Sequence, residues 1–139
     1  MDDKLISLIK LHEGIKLLPY IDTVGKTTIG VGRNLTDIGI SNDEAMMLLN
    51  NDINKAEIEL AHFTWFTQLD TVRQGVLIEL CFNIGLTSLL KFTQTIQAIE
   101  SKDYNSAAMH LLNSKWASQV GTGRSENMAN RLKTGSYGS

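Results

Sequence analysis

The sequence is poor in two residue types, cysteine and proline, that are typical of several classes of protein. Among 139 residues there is one cysteine, Cys81, and one proline. A single cysteine cannot form an intrachain disulfide or build a cysteine-based zinc site. With one proline and no low-complexity run, linkers and tails are not expected. The length fits one folding unit, so residues 1–139 are predicted to form a single domain.

A strong excess of one charge is also missing. Thirteen Lys and Arg stand against fifteen Asp and Glu, which gives a net charge of −2. Proteins that coat nucleic acid are usually strongly basic, so no nucleic-acid partner is expected. No apolar run approaches the roughly 18 residues of a membrane span, and the first residues do not resemble a signal peptide. We therefore expect a soluble protein made in a cytoplasm, without membrane insertion.

The front of the chain predicts a helix followed by a hairpin. Asp2 or Asp3 can cap the helix, apolar residues recur at helical spacing, and Gly14 is a typical stop. Residues 17–33 are rich in Thr, Ile, Val and Gly, with a turn signal at residues 22–25. The sequence therefore predicts a small hairpin, with glycines where the backbone must come close to another group.

The rest of the chain has helical patterns. Ser41 and Glu44 form a capping-box signature at the start of a long helix, and Asp70 is the expected cap of the next. Shorter helices are expected over residues 86–91, 94–100, 104–112 and 126–133. The fold class is thus α+β and mostly helical. We expect a small lobe at about residues 15–62, a helical lobe from 1–14 and 63–139, and a cleft between them.

Two carboxyl groups at the front have contrasting surroundings. Glu13 ends the first helix, beside carbonyls with partial negative charge, which favours a protonated carboxyl. Asp22 lies in a polar turn that suits an ionised carboxylate, and the hydroxyl of Thr28 could hold a water beside it. Such a pair suits acid and base roles. Taken alone the spacing leaves another interpretation open, because Glu at a helix end and Asp in a turn are common structural residues.

These residues belong to a longer pattern that resembles the phage lysozymes, or endolysins, of glycoside hydrolase family 24. The family has a catalytic Glu, an Asp after eight intervening residues and a Thr after five more, and Glu13, Asp22 and Thr28 match all three types and both gaps. The similarity continues in order along nearly the whole chain. The segments that carry it are residues 12–14, 20–32, 69–73, 82–85, 92–95, 114–116 and 131–135.

The resemblance implies a lysozyme-like fold and a muramidase. Such an enzyme hydrolyses the β-1,4 bond between N-acetylmuramic acid and N-acetylglucosamine in the glycan strands of bacterial peptidoglycan. Glu13 is expected to be the general acid, and Asp22 and Thr28 are expected to hold the attacking water, with inversion at the anomeric carbon. Neither a metal nor another cofactor is implied, and a monomer is expected.

The sequence also departs from the family pattern. Ser41 follows Gly32 by only nine positions, so the front lobe is expected to be shorter than is usual in the family. The family's histidine at position 33 is replaced by Arg33, for which Asp52 is the carboxylate partner that the pattern implies. Substrate-lining positions of the family fall on Asn34, Phe82, Thr95 and His110, of which only Phe82 keeps the family's residue type.

The resemblance further implies a role in host cell lysis. The enzyme is expected to accumulate in the host cytoplasm and to reach the periplasm and cell wall when a separate pore protein opens the membrane. Two alternatives stay open: an inactive homologue that binds peptidoglycan, and a lytic transglycosylase, which forms an anhydro end without water.

Overall fold

The computed structural model describes residues 2–138, and 64% of the structure is helical. The predicted α+β class is confirmed, because the strands form one small antiparallel sheet. The chain divides into two compact units, one up to Leu48 and one from Leu49 onward. Within residues 2–138, no helix combines the length and apolar character needed to cross a membrane.

The first unit contains helix α1, three strands and the start of helix α2. Its elements are α1 (Asp3–Glu13), β1 (Lys16–Ile21), β2 (Thr27–Gly30), β3 (Arg33–Asn34) and the first turns of α2 (Asn42–Leu60). Helix α1 begins and ends as predicted. The Asp2 side chain accepts hydrogen bonds from the N–H groups of Lys4 and Leu5, and Gly14, at φ +72°, donates its N–H to the Lys10 carbonyl.

The sheet has one strand more than the predicted hairpin. Strand β2 lies in the centre, with β1 and β3 antiparallel on its two sides. Thr28 faces Tyr20 on one side and Asn34 on the other. Among residues 2–48 only Thr28 is buried, so the centre of the sheet is the most enclosed place in this unit. Strand β3 is two residues long, too short to show a strand pattern in the sequence.

Helix α2 begins with the predicted capping box. The Ser41 hydroxyl accepts a hydrogen bond from the Glu44 N–H at 3.1 Å, and the Ser41 N–H donates to Glu44 Oε1 at 2.9 Å. The two bonds satisfy backbone donors at the helix start that have no partner inside the helix. Burial along α2 is limited to its second half, where Ala56 and Leu60 are buried.

The second unit contains the apolar core of the described residues. After the end of α2 its helices are α3 (Thr64–Thr67), α4 (Thr71–Ile84), α5 (Leu86–Leu89), α6 (Thr93–Glu100), α7 (Tyr104–Leu112), α8 (Lys115–Val120) and α9 (Thr122–Thr134). Helix α7 packs against α6 and α9, and α4 packs against α5 and α9. The largest fully buried side chains are Leu60, Leu77, Leu80, Leu89, Leu111, Met128, Leu132 and Val76.

Some boundaries differ from the prediction. Asp70 caps α4 and Gly85 ends it, as expected, but the short helices α3 and α8 were not predicted. Helix α9 begins at Thr122, four residues before the predicted start. The compact units also differ from the predicted lobes, because α1 groups with the sheet that it precedes by two residues. The cleft between lobes stays a prediction.

Candidate active site

Glu13 is placed at the turn that joins β2 to β3. It is the last residue of α1 and is exposed. Its carboxyl lies against Gly32: a β-carbon added to Gly32 would be 2.6 Å from Glu13 Oε2 and 2.9 Å from its Cδ. Within the first unit, as described from Asp2 to Leu48, no hydrogen bond or ion pair engages this carboxyl. The contact described for this carboxyl in that unit is therefore its packing against Gly32.

Asp22 lies in the turn that joins β1 to β2, and its side chain organises that turn. Asp22 Oδ1 accepts hydrogen bonds from the N–H groups of Val24 at 3.0 Å and Lys26 at 2.8 Å. The Asp22 backbone N–H donates to the Lys26 carbonyl at 2.9 Å, and Gly25, at φ +85°, donates its N–H to the Asp22 carbonyl. Both side-chain bonds use Oδ1, which leaves Oδ2 without a protein donor in the described part of the first unit.

Thr28 shares a backbone partner with Asp22. Its side chain is buried, with the residue 3% exposed, and its hydroxyl donates a hydrogen bond to the Lys26 carbonyl at 3.0 Å. A hydroxyl has one proton to donate and two lone pairs to accept with. Because the proton is used, a water beside Thr28 can only donate to it.

The three predicted catalytic residues thus lie at the two ends of one strand. Asp22 and Thr28 meet at the turn before β2 through Lys26, and Glu13 lies at the turn after it. The acid candidate and the water-holding candidates are therefore at opposite ends of β2. Their catalytic roles stay predictions.

The residue beside the Glu13 turn is held by an ion pair. Arg33 Nη1 donates to Glu44 Oε1 at 2.7 Å and to the Gly39 carbonyl at 3.2 Å. The carboxylate that Arg33 holds is thus Glu44, at the start of α2, whereas the family pattern implied Asp52. The hydrogen bond from Arg33, with those from Ser41, lowers the pKa of Glu44 from 4.5 to about 2.

Asn34, one of the predicted substrate-binding residues, is used within its own turn. Its Nδ2 donates to Asp37 Oδ2 and its Oδ1 accepts from the Asp37 N–H, both at 3.0 Å. Asp37 also pairs with the Lys26 ammonium at 3.1 Å. The Asn34 side chain therefore supports the loop after β3, and its role toward substrate stays a prediction.

The other three predicted substrate-binding residues lie in the second unit. Phe82, near the end of α4, is 47% exposed. Thr95 on α6 is 4% exposed, so its side chain is a poor candidate for direct contact with a glycan. His110 is half-buried on α7. Of the three, only Phe82 is a large exposed side chain.

Phe82 borders a cavity of about 520 Å³ that has charged walls. Asp52, Lys55 and Glu59 line it from α2, with Cys81 beside Phe82 on α4. Of these three, the family pattern pointed only to Asp52, as a partner of Arg33, although spacings of three, four and seven put all three on one helix face. Burial and the Glu59 carboxylate raise the pKa of the Cys81 thiol, which fits an unreactive cysteine.

The described residues contain no cluster of three or more His, Cys, Asp or Glu side chains that could hold a metal ion.

Comparison with known proteins identifies the family. Residues 10–134 match the sequence model of the phage lysozyme family, a span that includes Glu13, Asp22 and Thr28. The chain is similar to a probable T4-type lysozyme 2 of Dictyostelium discoideum, 30% identical over 150 aligned positions that cover 86% of this chain and 88% of the relative. It is also similar to a probable T4-type lysozyme 1 of that organism, 27% identical over 165 positions covering 97% and 96%.

Both alignments include positions that this chain lacks. Because 97% of 139 residues is about 135, about 30 of the 165 aligned positions in the longer alignment face gaps in this chain. The reduced front lobe stays a prediction. With a family match over most of its length, this chain belongs to the phage lysozyme family and is a lysozyme, a glycoside hydrolase.

Proposed function

We propose that this protein hydrolyses the β-1,4 bond between N-acetylmuramic acid and N-acetylglucosamine in peptidoglycan, with inversion at the anomeric carbon. The observation that carries the proposal is the placement of these groups at the two ends of β2. At one end the Glu13 carboxyl, from the end of α1, lies against Gly32 without a hydrogen-bonding partner in the first unit, and at the other end Lys26 joins Asp22 to Thr28.

Glu13 acts as the general acid. Cleavage of a glycosidic bond requires a proton on the leaving oxygen as the bond to C1 breaks. A carboxyl whose proton is not donated to the protein can give it to the substrate. Glu13 therefore has to be protonated when substrate binds.

Asp22 acts as the base toward a water held by Thr28. As the water oxygen forms its bond to C1, one water proton passes to Asp22 Oδ2 and the Glu13 proton goes to the leaving oxygen. Asp22 therefore has to be ionised when Glu13 is protonated. Inverting enzymes place their carboxyls about 6.5–9.5 Å apart to fit this water, whereas retaining enzymes place them about 5–5.5 Å apart. An acid and a base at opposite ends of β2 suit the wider of these spacings.

Phe82 is the substrate contact that we propose for the second unit. An exposed aromatic ring offers an apolar face to a sugar ring. The charged walls of the cavity offer hydrogen-bonding partners for the hydroxyl and amide groups of the sugar. Asn34 and His110 are secondary candidates. Thr95 is left out because it is buried.

The biological role that we propose is that of an endolysin. In this role the enzyme acts as a monomer, accumulates in the host cytoplasm and lyses the host after a separate pore protein admits it to the wall. The two curated relatives described above are from Dictyostelium discoideum, so host lysis rests on the phage family and not on them. A non-catalytic binding protein is disfavoured because such a protein needs none of the three residues. A transglycosylase is disfavoured because it has no use for a water held by Asp22 and Thr28.

Analysis of the reaction products tests the proposal. Purified peptidoglycan is digested with the wild type, with Glu13→Gln, and with Glu57→Gln as a control at an exposed carboxylate on α2. We expect new reducing ends from the wild type and the control by mass spectrometry, and none from Glu13→Gln. Anhydro ends would indicate transglycosylation, and binding without products would indicate an inactive homologue. Proton NMR of the first product gives its anomeric configuration, and retention would contradict inversion.

A further inference from the structure

We propose that Gly32 is a positioning residue for Glu13: the space that a side chain at position 32 would occupy is the space in which the Glu13 carboxyl lies. This inference rests on the proposed function, because it concerns the placement of the proposed acid. Gly32 has no reactive group, and it acts on the reaction through the position of Glu13.

The contact is close along much of the Glu13 side chain. A β-carbon on Gly32 would be 2.6 Å from Oε2, 2.9 Å from Cδ and 3.2 Å from Cγ of Glu13. Carbon and oxygen atoms that are not bonded to each other normally stay more than 3 Å apart. The Glu13 carboxyl in this position and a side chain at position 32 are therefore incompatible.

The backbone around Gly32 is held from both sides. Strands β2 and β3 pair through Ile29 and Arg33, which encloses the turn that contains Gly32. Arg33 is further tied to Glu44 and to the Gly39 carbonyl. Because the turn is anchored, the clash created by a side chain at position 32 is relieved by movement of the exposed Glu13 side chain and not of the turn.

Packing takes the place of hydrogen bonds in positioning this acid. An acid held by a protein acceptor would share its proton with that acceptor, whereas contact with a glycine backbone limits the position of the carboxyl without engaging the proton. Displacement of a reacting group by about 1 Å typically costs on the order of a hundredfold in rate. A side chain introduced at position 32 is thus expected to lower kcat more than it changes KM.

A matched control lies two residues before Gly32, at the end of β2. Gly30 has the same backbone angle as Gly32, φ +70°, but a β-carbon on Gly30 would meet no heavy atom within 4 Å. Alanine at either position introduces the backbone strain of a positive φ. Only alanine at position 32 also displaces Glu13. Comparison of Gly32→Ala with Gly30→Ala therefore isolates the contact.

The first experiment measures reducing-sugar release and the melting temperature of both variants. We expect similar melting temperatures, a kcat for Gly32→Ala about a hundredfold below that for Gly30→Ala, and KM values within about twofold. Equal kcat values for the two variants would overturn the proposal. If alanine prevents folding, Gly32→Asn and Gly30→Asn repeat the comparison, because Asn accepts positive φ more readily.

A second experiment does not depend on activity. In protein labelled with ¹³C at glutamate carboxyl carbons, the Glu13 resonance is assigned from its loss in Glu13→Gln. We expect this resonance to shift in Gly32→Ala and to stay in place in Gly30→Ala. An unchanged resonance in Gly32→Ala overturns the positioning role even if the wild type is active. If the resonance shifts in Gly32→Ala but the wild type releases no sugar, the positioning role stands and the proposed function is overturned.

Discussion

Arg33 and Glu44 form an ion pair at 2.7 Å, and the Glu44 oxygen that receives Arg33 also accepts the Ser41 N–H of the capping box. One carboxylate oxygen thus joins the first residue of β3 to the start of helix α2. Both hydrogen bonds are stronger to the ionised carboxylate than to the neutral carboxyl, which explains why the pKa of Glu44 is lowered to about 2.

The first prediction follows from this pair and concerns acid stability. The pKa of Glu44 is lower in the folded protein than its ordinary value of 4.5. Its stabilising contribution is therefore complete above pH 4.5 and is lost as the pH falls toward 2. Urea unfolding of Glu44→Gln and of the wild type, followed between pH 7 and pH 2, should differ most near neutrality and converge at the acid end.

The control for this prediction is Glu57→Gln, which removes an exposed carboxylate from the same helix. It changes the net charge equally but breaks no ion pair described here. If Glu44→Gln and Glu57→Gln give the same pH dependence, net charge and not the Arg33 contact accounts for it.

The second prediction concerns the water that Thr28 is proposed to hold. Thr28→Val keeps the branched shape that suits a strand and removes the hydroxyl. The Lys26 carbonyl keeps the Asp22 N–H as a donor, so the loss of stability should be about 1 kcal/mol or less. We expect kcat to fall by roughly ten- to a hundredfold, because the nucleophile is no longer oriented.

Thr28→Ser restores the hydroxyl and is the matched rescue. It should recover most of the lost kcat although it removes a buried methyl group. A Thr28→Val enzyme as active as the wild type would remove Thr28 from the mechanism while leaving Glu13 in place.

The third prediction concerns the end of the last helix. Arg73 on α4 donates from Nε to the Leu132 carbonyl at 2.7 Å and from Nη2 to the Lys133 carbonyl at 2.8 Å. Its guanidinium also lies 3.7 Å from the centre of the Tyr104 ring. Carbonyls at a helix end lack partners inside the helix, and this forked donor satisfies two of them.

Arg73→Lys should therefore be destabilising although the charge is kept, because an ammonium cannot reproduce the planar fork or the stacking. We expect a loss of about 1–3 kcal/mol in urea unfolding. Lys91→Arg, an exchange at an exposed position, serves as the control. Equal stability of Arg73→Lys and the wild type would show that the capping bonds contribute little.

The fourth prediction concerns Phe82. If its exposed ring binds a sugar, Phe82→Ala should raise KM about three- to tenfold with little change in kcat, since aromatic contacts contribute on the order of 0.5–1.5 kcal/mol. Phe82→Trp should preserve KM. Tyr137→Ala removes another exposed aromatic side chain and should leave both constants unchanged. An unaltered KM in Phe82→Ala would contradict the proposed contact.

The sequence predicted best where one residue decides a local structure. Ser41 with Glu44, and Asp70, marked the starts of α2 and α4 because capping is a local hydrogen bond. Helix α3 was missed because Phe63 precedes it without a side-chain cap. Ser114 does cap α8, but the six residues of that helix give too short an apolar pattern to recognise.

The candidate site was predictable as residue types and spacing, but not as contacts. The glycines of this segment predicted that the backbone comes close to another group, but not that the group at Gly32 is the Glu13 carboxyl, since that depends on how the end of α1 meets the turn after β2. The choice of Glu44 over Asp52 as partner of Arg33 is of the same kind, because both carboxylates lie on α2 and only the path of the loop after β3 selects between them.

The distribution of burial has a consequence for the motions of the protein. The apolar core draws its buried residues from Ala56 onward, whereas residues 2–48 bury Thr28 alone. Segments with few buried apolar contacts open at low free energy. Amide hydrogens of the turns on either side of β2 should therefore exchange with solvent deuterium long before those of α4 and α9, and a protease should cut first within residues 2–48.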